Sequence, residues 1–78
     1  MRDMTYNIMN KKLNAPLCWD DRAIDFESEA EATAFALTAG IDLKEEAEIR
    51  YQIFYYDGGY ISGKEAFRLL NEELRTED

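Results

Sequence analysis

The chain contains no histidine. That removes the commonest general base at neutral pH and the commonest transition-metal ligand. Cysteine occurs once, at Cys18, so no internal disulfide and no cysteine-built zinc site can form. A reducing, cytoplasmic compartment is the expectation. Glycine is scarce, and none of it reads as a phosphate-cradling loop: Gly58-Gly59 reads as a turn, and Gly63 sits beside a helix cap. No apolar run approaches the roughly 18 residues of a membrane-spanning helix. The N-terminus lacks the apolar segment of a secretory leader, so none is expected. The acidic stretches do not follow the calcium-loop pattern. Paired carboxylates such as Asp20 and Asp21 have no nucleophile or oxyanion site near them in sequence, and Cys18 has no histidine to activate it. Its simpler role is a small buried hydrophobe beside Trp19. The expectation is a non-catalytic protein with no cofactor and no metal.

What is present is localised negative charge. The formal net charge is −8. Residues 20–31 carry Asp20, Asp21, Asp25, Glu27, Glu29 and Glu31 against Arg22 alone. Residues 42–48 carry Asp42, Glu45, Glu46 and Glu48 against Lys44 alone. These two stretches account for the whole excess, because acids and bases balance elsewhere. Direct binding to nucleic acid or to an anionic membrane is disfavoured, since neither stretch can neutralise phosphates. A protein with a basic surface is favoured electrostatically. The candidate binding residues are Asp20, Asp21, Asp25, Glu27, Asp42, Glu45, Glu46 and Glu48. The plain alternative is that the acidity serves only solubility.

A length of 78 residues predicts one domain with a thin core. Ala47 to Tyr55 alternate at a period of two, with Ala47, Ile49, Tyr51, Ile53 and Tyr55 on one face. Asp57-Gly58-Gly59 then reads as a hairpin turn and Tyr60-Ile61 as the return strand, which makes this segment the expected centre of the sheet. Upstream, residues 5–9 read as a first strand, residues 11–14 as a turn, residues 17–19 as a second strand, and residues 23–26 as a third strand or an extended lead into a helix. Ser28 with Glu31, and Ser62 with Glu65, are capping-box pairs that start two helices. Ala30, Ala34, Phe35 and Leu37 to Thr38 are the expected buried stripe of the first, and Gly40 its end. Ala66, Phe67, Leu70 and Leu74 recur at helical spacing in the second. The predicted fold is α+β, a small mostly antiparallel sheet with two helices on one face, in the order β-β-(β)-α-β-β-α.

On the strand face opposite Ile49 and Ile53, Phe54 and Tyr56 are candidate interface anchors if the helices leave that face uncovered. An edge strand or this aromatic face also makes a homodimer, as a self-associating structural or regulatory module, the alternative to a basic partner.

Small size, acidity and the lack of catalytic groups over the whole chain resemble the small inhibitor proteins of phages and mobile elements, including anti-CRISPR proteins. That resemblance implies binding to a nucleic-acid-handling protein, by occupying a surface meant for DNA or RNA as a nucleic-acid mimic.

Overall fold

The computed structural model describes residues 4–76 and has an α+β architecture. Its strands are β1 (Thr5–Asn10), β2 (Ala15–Pro16), β3 (Cys18–Trp19) and β4 (Arg22–Asp25), then β5 (Ala47–Gln52) and β6 (Tyr60–Ser62). Helix α1 (Glu29–Ala39) lies between β4 and β5, and α2 (Gly63–Arg75) follows β6. The strands form two small sheets, ordered β2-β1-β5 and β3-β4-β6. Every pairing is antiparallel except β4 with β6, which is parallel.

Strand β1 is central because both of its edges are used. One edge runs the full length of β5, from Thr5 opposite Gln52 to Asn10 opposite Ala47. The other edge is divided: Met9 and Asn10 pair with β2, while Tyr6 bridges to Phe26 just beyond β4. Between these, the Leu17 amide donates to the Ile8 carbonyl at 2.7 Å. Asn7, Ile8 and Met9 are consequently all buried, so β1 is covered on both faces. Asn7 is accommodated there because its side-chain amide donates to the Ile24 carbonyl at 2.9 Å.

The expected central hairpin is not formed. Strand β5 stops at Gln52 and lies at the edge of its sheet, and β6 joins the other sheet beside β4. The intervening residues 53–59 cross from one sheet to the other instead of reversing. After Gln52 the run Ile-Phe-Tyr-Tyr is apolar at every position, so its sequence imposes no register. The tight two-residue hairpin lies elsewhere, between β3 and β4. There Asp20 and Asp21 both take positive φ, 48° and 63°, the signature of a type I′ turn. Aspartate tolerates this region better than most side chains. Gly58 lies against the same turn: a β-carbon there would run into the Asp21 carbonyl oxygen and the Tyr56 ring.

Both helices start as their caps dictate. The Ser28 and Ser62 hydroxyls accept from the amides of Glu31 and Glu65, each at 3.1 Å. The Glu31 carboxylate also accepts from the Glu27 amide. Gly40, with φ 75°, ends α1, and the Ile41 amide reaches back to the Ala36 carbonyl at 2.9 Å. The buried face of α1 is Ala32, Phe35 and Ala36; Ala30, Ala34, Leu37 and Thr38 are exposed. With alanine or another apolar residue at most positions of α1, side-chain polarity does not mark an inner face. Helix α1 packs on β1 and β5, α2 on β4 and β6, and the helices touch each other. One core results, in which Ile8, Ile24, Phe26, Phe35, Ile61 and Leu70 supply most of the buried bulk.

Candidate functional site

The acidic residues of the two stretches divide into those the fold employs and those it leaves free. Asp25 is half-buried and accepts from Thr5 and Asn7. Asp42 is exposed, but its Oδ1 accepts from the backbone amides of Lys44, at 2.8 Å, and Glu45, at 3.2 Å. Those two amides, Lys44 foremost, hold its pKa below the ordinary aspartate value. Glu48 is half-buried and ion-paired to Arg50 at 2.5 Å. Glu31 belongs to the α1 cap.

Asp20, Asp21, Glu27, Glu29, Glu45 and Glu46 are exposed, and their carboxylates have no ion-pair or hydrogen-bond partner among the described residues. They occupy three places. Asp20 and Asp21 form the tip of the β3–β4 hairpin. Glu27 and Glu29 flank the start of α1, at the far end of β4. Glu45 and Glu46 follow α1 in the turn leading to β5. A cation lies near this last group: Lys11 donates to the Lys44 carbonyl at 2.5 Å, and its charge acts on Asp42. The strand pairing that brings Lys11 to Glu46 joins segments far apart in sequence.

Helix α2 is different. Arg68 bonds Glu65, at 2.6 and 2.9 Å, and Glu72, at 2.6 Å. Arg68 holds the Glu65 pKa down, and the two carboxylates raise that of Arg68. This face is self-neutralised, in line with its alternating sequence.

Phe54 and Tyr56 are half-buried. Tyr60 turns its hydroxyl to the backbone of this segment, bonding the Tyr56 amide and the Phe54 carbonyl. The Cys18 thiol, and with it the Asp21 charge, pushes the Tyr56 pKa up. The exposed members of the segment are the other set: Tyr51, Ile53 and Tyr55, with Tyr55 72% exposed. Beyond Gln52 the alternation persists, but the face expected to be buried has left the sheet.

An open apolar cleft of about 270 Å³ is lined by Leu17, Cys18, Trp19, Phe35, Ile41 and Leu70, among others. A smaller hollow of about 120 Å³ shares Leu17 and Ile41 and reaches Glu46. The cleft residues come from β3, α1, α2 and the connections between elements, so no local pattern announces them. Cys18 donates to the Pro16 carbonyl at 3.4 Å. Among the described residues no group of three or more potential metal ligands converges, and no helix is long and apolar enough to cross a membrane.

No protein family matches the chain, and no curated protein or solved structure is significantly similar to it.

Proposed function

We propose that the protein is a non-catalytic interaction module that presents its unpaired carboxylates to a basic surface on a nucleic-acid-handling partner, as an inhibitor or nucleic-acid mimic. The observation that carries this reading is the contrast between two kinds of acidic surface. On α2 Arg68 pairs Glu65 and Glu72, whereas Asp20, Asp21, Glu27 and Glu29 stand exposed without a partner among the described residues. Unpaired exposed charge attracts an oppositely charged protein from solution and raises its association rate. A type I′ turn also fixes the backbone of Asp20 and Asp21, so two carboxylates are displayed from a rigid support.

The test is capture from a host lysate with the immobilised protein, eluted in rising salt and identified by mass spectrometry. The expected captured species is a basic, nucleic-acid-binding protein that elutes early in the salt gradient and is displaced by added DNA or RNA. Retention only of proteins indifferent to salt and to nucleic acid would remove the proposal.

A further inference from the structure

The outer edge of β5 is unpaired among the described residues, and its bonding phase can be read from its neighbours. The Lys11 amide donates to the Glu46 carbonyl at 2.9 Å, in the same register that pairs β1 with β5. In an antiparallel ladder, bonded and non-bonded pairs alternate. Glu48, Arg50 and Gln52 therefore direct their backbone groups to β1, and Ala47, Ile49 and Tyr51 direct theirs outward. Two observations agree with this phase. Tyr6, opposite Tyr51, spends its backbone groups on Phe26, and Ile8, opposite Ile49, gives its carbonyl to Leu17.

We infer that this edge pairs with β5 of a second copy, antiparallel, with Ile49 opposite Ile49 across a two-fold axis. Sequence and phase select this register. It matches outward-facing residues with outward-facing residues: Ile49 with Ile49, and Ala47 with Tyr51 in both directions. It also sets Glu48 opposite Arg50 twice, as non-bonded pairs, where side chains approach most closely. Shifting the axis to residue 48 opposes two glutamates, and shifting it to residue 50 opposes two arginines; like charges directly opposite are destabilising. The Glu48 and Arg50 side chains remain 41% and 38% exposed, accessible to a partner strand although paired to each other. The Ala47 amide is already taken by the Asp42 carbonyl, so four backbone bonds, from the amides of Ile49 and Tyr51 in each copy, build the junction. The two β2-β1-β5 sheets become one continuous sheet, and half-buried Ile49 and exposed Tyr51 are covered. The surface involved is distinct from the Asp20, Asp21, Glu27 and Glu29 carboxylates, so this inference stands apart from the proposed partner.

The contact is small, which places it among weak, reversible associations. It is read by sedimentation and by amide chemical shifts over a concentration series, at moderate salt to screen the mutual repulsion of two acidic chains. The wild type should show concentration-dependent shifts centred on Ile49 and Tyr51. Glu48→Arg and Arg50→Glu should each weaken self-association by about tenfold, because two attractive contacts per dimer become repulsive. Mixing the two variants should restore association, since one then presents two positive charges and the other two negative ones. A loss caused by misfolding could not be rescued in this way. The inference is overturned if the wild type stays monomeric throughout, if the mixture fails to associate, or if the edge instead takes up a strand from another protein.

Discussion

Tyr6 and Phe26 exchange both of their backbone hydrogen bonds, at 3.0 and 2.8 Å. This pair ties β1 to the end of β4 and so joins the two sheets, while the Phe26 ring, fully buried, packs 5.4 Å from that of Phe35. Removing the ring leaves a cavity at the seam. Phe26→Ala should cost about 3–5 kcal/mol, a large part of the roughly 4–12 kcal/mol expected for a chain of this length. Urea denaturation should show most of the stability gone. Phe67→Ala, at a half-buried ring on the same cluster, should cost clearly less.

The two serine caps give a graded test of the helix starts. Ser28→Ala and Ser62→Ala should each destabilise by about 0.5–2 kcal/mol, while replacement by Asp should be tolerated. Thermal denaturation of the four variants separates the hydrogen bond from side-chain size.

Gly63 opens α2 where it meets α1: a β-carbon there would run into the Phe26 ring and the Glu31 carboxylate. The ring is walled into the core and cannot give way. Gly63→Ala should therefore destabilise by about 1–3 kcal/mol through overpacking, although alanine is the better helix former. At Gly40, where φ is positive but the space around it is open, Ala should cost only the backbone strain. Comparing the two denaturation midpoints distinguishes crowding from conformation.

Acid should weaken the fold through Asp42 and Glu65. Both have folded-state pKa values held below their ordinary ones, by the Lys44 and Glu45 amides and by Arg68 respectively. A depressed carboxylate contributes stability above its unfolded pKa and loses it as pH falls through the folded value. The denaturation midpoint should thus decline below the ordinary carboxylate range. Asp42→Asn keeps the turn acceptor and Glu65→Gln keeps the side-chain length, and both should flatten that decline.

Local chemistry was legible in the sequence; partnership between distant strands was not. Ser28, Ser62 and Gly40 act through bonds to residues nearby in the chain, and they stand where the pattern put them. The α+β class followed from the same punctuation. The Ala47–Gln52 strand was readable from its alternation, but its position at a sheet edge depends on β1, nearly forty residues earlier. The true hairpin turn was obscured because Asp20 and Asp21 carry no glycine, whereas Gly58-Gly59 imitates one. In fact Gly58 serves a close approach to that turn. The excess of acid was visible as a count. Which acids remain unpaired was not, because Arg50 claims Glu48, Thr5 and Asn7 claim Asp25, and the Lys44 and Glu45 amides claim Asp42 only in the folded chain.

Whether the unpaired carboxylates bind a basic partner is decided by neutralising them in matched pairs. Asparagine suits the left-handed turn at positions 20 and 21, so Asp20→Asn with Asp21→Asn removes two charges and preserves the hairpin. Glu45→Gln with Glu46→Gln removes two beside Lys11, and Glu72→Gln with Glu73→Gln removes two from the balanced helix. Affinity for the captured partner is measured for all three at two salt concentrations. The largest loss is expected for the Asp20 and Asp21 pair, chiefly in the on-rate and diminished by salt, with a smaller loss for Glu45 and Glu46 and almost none for Glu72 and Glu73. Equal losses from all three pairs, or no loss from the first, would contradict such binding.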